Sequence, residues 1–372
     1  MLNDAIVGTK AMVVSPHYLA SMAGDEILQK GGNAFDAAVA VSACLAVVYP
    51  HMTGMGGDSF WLLYNMENQQ MTAYNGSGRS GMNITRETYE GKDSIPIRGI
   101  ESIITVPGMV DSWDAVIQKY GKLTLAEVLE PAIHYAENGF PYSKNQYLNT
   151  LTHRDLLKSS AETTEIFLPN GQVPVINEKF VQKKLAHSLR LIARKGRDEF
   201  YKGELAHHIV SSLQNQGGLL TLKDFSSHQG DWTEPIYTTY RGYTMYQVPP
   251  NSQGFTGLMA LNILENFDLS IIEHGSYEYY HLLVEALKLS FRDRNKELTD
   301  PTFHSIPLER LIDKRYAYAL TNEIDWNTAI SLETKSTGSD TAHAAVVDKD
   351  GNAVSFIQSL YFEFGSAVTA GD

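Results

Sequence analysis

The sequence predicts a mixed α+β fold, because three kinds of pattern alternate along the chain. Long stretches have helical spacing of apolar residues, short buried runs resemble strands, and a hairpin pattern occurs near the end. The chain has 372 residues, of which 43% are hydrophobic, so it contains ample apolar material for a large core. Length alone allows one large domain or two to three smaller ones.

The first half is mainly helical. The pattern over Ala20–Val48 is interrupted by the Gly-Gly-Asn at 31–33, which predicts two consecutive helices. Further helices are expected over Val110–Tyr120 and over Leu125–Asn138, with Gly139 as the C-cap of the second.

Two glycine-rich stretches punctuate this helical half. Thr53–Asp58 precedes a predicted buried strand, Ser59–Tyr64, and Asn75–Met82 has the composition of a turn. The region Glu178–Gln214 is mostly amphipathic helix.

Strands and one long helix are expected in the second half. Strands are predicted at Pro235–Tyr240 and Tyr243–Val248, and a helix at Ser276–Arg292. The buried face of that helix is expected to contain Tyr280, Leu283, Val284 and Leu287.

The last part of the chain changes character at residue 341. Glu323–Asp340 is polar and lacks periodicity, which is typical of a linker. Ala342–Val347 and Ala353–Gln358 alternate in polarity around a turn at 348–351, which predicts a β-hairpin.

Charge and composition argue against several classes of protein. The net charge is −13 with scattered acidic residues, so nucleic acid is not an expected partner. The single cysteine, Cys44, is expected in the core. The start of the chain lacks the features of a signal peptide and no segment has the length of a membrane span, so we expect a soluble, cytoplasmic protein.

Thr341 is the residue that best suits nucleophilic catalysis. It stands where the linker enters the first hairpin strand. A break before it would leave its amine beside its own hydroxyl, and that amine can act as the general base. Taken alone, the spacing is weak evidence, because a threonine that opens a strand is more often a β-branched residue in its preferred backbone conformation.

A set of motifs spread over most of the chain resembles the gamma-glutamyltranspeptidase family. The strongest is the run of residues 340–355, with Thr-x-His followed by a VVD-x-x-GNAVS hairpin. The others, in chain order, lie at 31–38, 54–57, 106–108, 130–132, 139–140, 240–243, 249–254, 285–286 and 293–294.

This resemblance implies the four-layer αββα sandwich of the N-terminal-nucleophile hydrolases. It also implies that Thr341 attacks the Asp340 carbonyl group, so that 1–340 becomes the large subunit and 341–372 begins the small one. The new terminus would accept a gamma-glutamyl or related acyl group from a small amide and pass it to water or an amine. No metal or organic cofactor is implied. A hydroxyl that contacts the nucleophile maps to Ser359, which is otherwise an ordinary strand residue.

Two positions depart from the family pattern for binding a glutamyl donor. Ser77 occupies the place of the arginine that binds the α-carboxylate, and Tyr361 that of an asparagine. Arg79, two residues on, either substitutes for that arginine or is structural. Because a bidentate arginine contact is strong and specific, the resemblance leaves the natural acyl group open.

Length is a third departure. The small-subunit region, 341–372, is several times shorter than in the family and lacks its paired-glycine oxyanion hole. We therefore expect the 372-residue chain to be a fragment or a truncated member with little turnover. The alternative to an enzyme is an inactive family member that serves as a non-enzymatic scaffold.

Other candidate sites are poorly supported. The Gly-Met-Gly-Gly at 54–57 lacks the spacing and the lysine of a phosphate-binding loop. His207 and His208 lack metal-ligand spacing. His343 lies on the same strand face as Thr341, where a hydrogen-bonding role is favoured because the free amine already serves as the base.

Overall fold

The computed structural model describes residues 5–331 and 341–371, and within them it confirms the α+β class. The strands are β1 Met12–Val14, β2 Asp58–Asn65, β3 Gln70–Gly76, β4 Phe140–Pro141, β5 Lys179–Phe180, β6 Asp231–Thr233, β7 Ile236–Tyr240, β8 Tyr243–Gln247, β9 Ala342–Val347 and β10 Ala353–Ser359. The order in the six-stranded sheet is β1-β9-β10-β2-β3-β6, and β4-β5 and β7-β8 form two-stranded sheets.

The described part of the chain contains fifteen α-helices. They are α1 Tyr18–Gln29, α2 Ala34–Val48, α3 Met109–Tyr120, α4 Leu125–Asn138, α5 Lys144–Thr152, α6 Arg154–Leu157, α7 Ala161–Phe167, α8 Lys183–Lys195, α9 Arg197–Tyr201, α10 Glu204–Asn215, α11 Leu222–Ser227, α12 Phe255–Leu264, α13 Tyr277–Glu297, α14 Leu308–Leu311 and α15 Lys314–Thr321. A second large sheet is not seen in residues 5–331 and 341–371.

The chain forms two compact units. The first contains the described residues of Met1–Gln70, Asn75–Asp231 and Ser339–Asp372, and the second those of Met71–Tyr74 and Trp232–Gly338. The hairpin β9–β10 thus belongs to the first unit. The predicted subunit boundary between 340 and 341 concerns a later cleavage and stays a prediction.

Helix α2 is the centre of the first unit, and all 15 of its residues are buried. Its first turn is fixed by a capping box, in which the Asn33 side chain accepts from the Asp36 N–H and the Asp36 carboxylate accepts from the Asn33 N–H. The Asp36 carboxylate also accepts from the N–H groups of Lys122 and Leu123. Because α2 contains mainly alanine and valine, its neighbours approach closely; Cys44 is buried there as expected.

The predicted hairpin is confirmed, and its turn is tied to the same helix. One carboxylate oxygen of Asp348 accepts hydrogen bonds from the N–H groups of Asp350 and Asn352. The other accepts from the N–H of Ala34 at 2.9 Å. A negative charge at the N-terminus of a helix is favourable, so Asp348 joins the turn to α2.

One face of the sheet packs on α2 and α3. The amide of Gln358 contacts Ser42, whose hydroxyl also accepts from the Trp113 indole N–H at 2.7 Å. Trp61 and Phe356 stack on the same side, 4.3 Å between ring centroids. Alternate residues of β2, β9 and β10 therefore point to the opposite, more exposed face.

Most predicted elements are confirmed within one or two residues. The break at 31–33 separates α1 from α2, and Gly139 caps α4 with φ of 79°. The strand at Ser59–Tyr64 and the pair β7–β8 are also present. Glu323–Asp340 is described only to residue 331, so the remainder of that predicted linker lies outside the described residues.

The face predicted for the long helix α13 is wrong in the second unit. Tyr280, Val284 and Leu287 are 56%, 46% and 40% exposed, and Leu283 is partly buried. The residues of α13 that form the core with α12 are Leu282, Ala286 and Leu289. The helix carries two adjacent apolar stripes, so periodicity alone does not determine which one packs on α12.

Candidate active site

Thr341 lies immediately before β9 and is exposed. In the antiparallel hairpin, Ala342 pairs with Gln358. The next residue outward on each strand is Thr341 on one side and Ser359 on the other, so the hairpin brings these two predicted residues to the same end. The predicted cleavage partner, Asp340, lies outside the described residues.

Ser359 ends β10 and is 9% exposed. Its hydroxyl oxygen accepts a hydrogen bond from the N–H of Tyr361 at 2.7 Å. That bond shapes the turn after the strand, because it fixes the backbone two residues on.

The glycine-rich loop at 54–57 packs against this end of the hairpin. The carbonyl oxygen of Gly57 accepts from the N–H groups of Gly108 and Met109, at 3.1 and 3.2 Å, where α3 begins. A β-carbon on Gly57 would lie 2.2 Å from the carbonyl oxygen of Ser359. The close approach of the loop to β10 therefore requires glycine at position 57.

Ser77 and Arg79 lie in the irregular segment that follows β3. Both the N–H and the hydroxyl of Ser77 donate to the Asn75 side-chain oxygen, at 3.0 and 2.7 Å. The Arg79 guanidinium is 3.8 Å from the Asp231 carboxylate, and both side chains are more than half exposed. Ser77 is thus a neutral group held by its neighbour, whereas Arg79 is a solvated cation with a weak ion pair.

Tyr361 is 61% exposed and has a φ of 77°. Its ring meets that of Phe362 edge-on at 4.6 Å. The following residues are held by Arg98, which donates to the carbonyl oxygens of Glu363 and Gly365 and lies 5.0 Å from the centre of the Phe362 ring. Sequence analysis did not identify Arg98, since a lone arginine in a polar loop carries no local signal.

Asp58 is a second residue that sequence analysis did not single out. It opens β2 and is paired with Ser359 of β10. Burial raises the pKa of its carboxyl group to about 6. Its position directly after a glycine-rich loop, at the start of a buried strand, was the available signal.

His343 is exposed on the same face of β9 as Thr341. One of its ring nitrogens, Nε2, is 3.0 Å from the hydroxyl of Ser355 on β10. This contact lies farther along the hairpin from Thr341, in keeping with the expected hydrogen-bonding role.

A large, half-open cavity of about 1160 Å³ lies beside the site in the first unit. Its lining is mainly apolar and includes Gly54, Met55, Ile104, Phe167 and Tyr361. The lining includes neither Thr341 nor Ser77.

Metal-ligand clusters and membrane spans are both absent from the described residues. Residues 5–331 and 341–371 contain no group of three or more histidine, cysteine, aspartate or glutamate side chains that could hold a metal ion. None of the helices described is both long and apolar enough to cross a membrane.

Comparisons with known proteins agree on one family. A family profile described as Gamma-glutamyltranspeptidase matches residues 20–372. The chain is 65% identical, over its whole length and 70% of the relative, to the glutathione hydrolase-like YwrD proenzyme of Bacillus subtilis. It is 35% identical to the oxamate amidohydrolase proenzyme of Klebsiella pneumoniae, over its whole length and 71% of that relative.

The chain is also similar in structure to a solved acylase. The crystal structure of cephalosporin acylase from Bacillus halodurans superposes with a TM-score of 0.91 at 35% identity, and the match covers all of this chain and 69% of that one.

Proposed function

We propose the function of this chain from the fact that it belongs to the gamma-glutamyltranspeptidase family. Its relatives are named as proenzymes, hydrolases and acylases. The proposal is that Thr341 cleaves the bond to Asp340 and then serves as the N-terminal nucleophile of an amide hydrolase or acyltransferase.

The observation that carries the proposal is the geometry at the end of the hairpin. Thr341 is exposed at the tip of β9, and the register of the two strands sets Ser359 opposite it. Cleavage before Thr341 would leave its amine and hydroxyl on one residue at the edge of a rigid strand. That is the arrangement in which an amine can activate a hydroxyl.

The proposed turnover has two steps. The Thr341 amine removes the proton from its own hydroxyl, the oxygen attacks the carbonyl carbon of an amide, and the leaving amine takes that proton. Water or an acceptor amine then attacks the Thr341 ester and releases the acyl group. We assign the Ser359 hydroxyl the role of orienting the nucleophile by a hydrogen bond. The proposed steps use only groups of the chain and its substrates.

We propose that the two products of cleavage stay together. β9 lies between β1 and β10, and β10 lies between β9 and β2. The strands after the cleavage point are therefore hydrogen-bonded on both sides to residues before it or to each other. Separation of the subunits would break these ladders.

For the acyl donor, we propose a group other than glutamyl. The residues at the expected carboxylate-binding positions are the neutral Ser77 and the exposed Tyr361. Relatives in the same family are named for glutathione, for oxamate and as acylases, so the family includes proteins named for different amides.

Substitution of Thr341 tests the proposal. The full-length Thr341→Ala precursor should stay one chain on a denaturing gel, because it lacks the attacking oxygen, whereas Thr341→Ser should still be cleaved, more slowly. Two-subunit processing of the alanine variant would refute the assignment. An unmutated protein that stays whole would support the scaffold alternative.

A further inference from the structure

Self-cleavage needs a base that turnover does not need. This inference rests on the proposed function, in which Thr341 is the nucleophile of both reactions. In the uncut precursor, the Thr341 nitrogen belongs to a peptide bond, and an amide nitrogen is not a useful base. Another group must therefore accept the hydroxyl proton during the first cleavage.

The sheet aligns three side chains across three strands at this point. Ser359 pairs with Asp58 of β2. On its other side, one residue beyond the pair of Gln358 and Ala342, lies Thr341, immediately before β9. Directly opposed residues of antiparallel strands project to the same face. The residues next to this row, Ala342, Gln358 and Ser59, are 4%, 1% and 0% exposed on the opposite face.

Distances within such a row allow a relay but not a direct contact. Neighbouring strands are about 4.8 Å apart, so Thr341 and Asp58 are separated by roughly 10 Å. Ser359 lies between them, and opposed β-carbons about 5 Å apart bring short polar side chains within hydrogen-bonding reach.

The hydroxyl of Ser359 has the right number of hydrogen-bonding positions for a relay. A serine hydroxyl donates once and accepts twice. One acceptor position is used by the N–H of Tyr361, at 2.7 Å. In a relay, this hydroxyl would accept the proton of Thr341 and pass its own proton to the carboxylate of Asp58.

We propose that Asp58 is the proton acceptor for self-cleavage, acting through the hydroxyl of Ser359. The Thr341 hydroxyl proton passes to the Ser359 oxygen as the Ser359 proton passes to Asp58. The Thr341 oxygen bonds to the carbonyl carbon of residue 340, and the bond from that carbon to the Thr341 nitrogen breaks. The proton returns along the same path to that nitrogen. Water then hydrolyses the ester, which leaves a carboxylate on residue 340 and a free hydroxyl on Thr341.

The surroundings of Asp58 suit this role. Burial raises the pKa of its carboxyl group to about 6, against the lowering effect of a hydrogen bond from its own backbone N–H, and no neighbouring charge contributes to that shift. On the same sheet face, β10 presents Ser355, Ile357 and Ser359, and the titratable side chain that β9 presents beside Thr341 is His343. The preceding loop, 53–57, contains no titratable residue. A base whose pKa lies near the working pH is an effective proton acceptor.

The test follows cleavage of full-length precursor made by cell-free translation and chased between pH 5 and 8. For the unmutated chain, the rate should fall about tenfold per pH unit below pH 6 and level off above it. Asp58→Asn should cleave at least roughly 10²-fold more slowly at pH 7.5, without that inflection. Asp58→Glu should restore part of the rate.

His343→Gln is the matched control, because it removes the other titratable group of this face; it should keep both the rate and the inflection. A slow Asp58→Asn variant that keeps the inflection would show that Asp58 has only a structural role, and would overturn the proposal. An unchanged rate in Asp58→Asn would overturn it as well.

The Asp58→Glu variant provides the test if Asp58→Asn does not fold, as judged by its thermal transition. A shift of the pH inflection in Asp58→Glu would support the proposal, and an unshifted inflection would overturn it. Thr341→Ala separates the two claims: cleavage of that variant defeats the proposed function, whereas normal cleavage of Asp58→Asn alone defeats only the relay.

Discussion

Ser77 donates its hydroxyl hydrogen bond to Asn75 and offers a neutral group where the family resemblance expects an arginine. A carboxylate bound there would lose hydration without gaining a charged partner. A hydrogen bond to a charged group contributes about 1.5 to 3 kcal/mol, which corresponds to about tenfold or more in affinity. We therefore propose that Ser77 disfavours a donor with an α-carboxylate.

We therefore expect a glutaryl anilide to be a better substrate than a gamma-glutamyl anilide, and Ser77→Arg to raise kcat/KM for the gamma-glutamyl compound about tenfold or more. Arg79→Ala is the companion variant, because Arg79 is the nearby exposed cation. Steady-state kinetics of the full-length enzyme with both anilides make the comparison. A strong gamma-glutamyl preference that disappears in Arg79→Ala would instead identify Arg79 as the carboxylate-binding residue.

At the scale of elements, the glycine-rich loop and the hairpin are positioned by one close contact. Gly57 lies against the Ser359 carbonyl group, and its own carbonyl oxygen accepts from two N–H groups at the start of α3. Neighbouring Gly56 has open space where its β-carbon would be. Two adjacent glycines thus have very different tolerance for a methyl group.

Gly57→Ala should displace β10 from the loop and lower the thermal midpoint, since overpacking of this kind costs about 1 to 3 kcal/mol. We expect precursor cleavage to slow at least about tenfold as well, because Ser359 would move. Gly56→Ala should match the unmutated protein in both respects. Calorimetry and a cleavage time course measure the pair, and equal behaviour of the two variants would contradict the role of Gly57 as a contact residue.

Elements encoded by local signals were predictable from the sequence, whereas their partners were not. The break between α1 and α2, the Gly139 cap and the hairpin depend on residues only a few positions apart. The pairing of Asp58 with Ser359 joins residues some 300 positions apart, and nothing local specifies it. The buried face of α13 likewise depends on α12. The position of Thr341 could be predicted, but its row of neighbours could not.

At the scale of the whole molecule, buried ionisable groups determine how stability depends on pH. Burial lowers the pKa of His17 and of His51 from 6.5 to about 4. Between these values the unfolded chain binds protons that the folded chain does not, so stability falls as pH drops from about 6.5 to about 4. Asp58 has the opposite effect on stability. Because its pKa is raised from 3.8 to about 6 in the folded protein, its contribution to stability increases as pH falls between these values.

We expect His51→Gln to reduce this pH dependence. Each such histidine contributes a slope of about 1.4 kcal/mol per pH unit, so the free energy of unfolding should fall less steeply in the variant, by about that amount, between pH 6 and 4.5. Urea unfolding at several pH values measures it. A variant with the slope of the unmutated protein would show that His51 is protonated in the folded state.

The central claim, that Thr341 is both the cleavage residue and the nucleophile, is tested most directly by mass spectrometry of the mature protein. The full-length enzyme is incubated with a slowly hydrolysed acyl amide, quenched in acid and digested. We predict a peptide that begins at Thr341 and carries the mass of one acyl group on that residue. An uncut chain, a new terminus at another residue, or an acyl group on a different side chain would contradict the account.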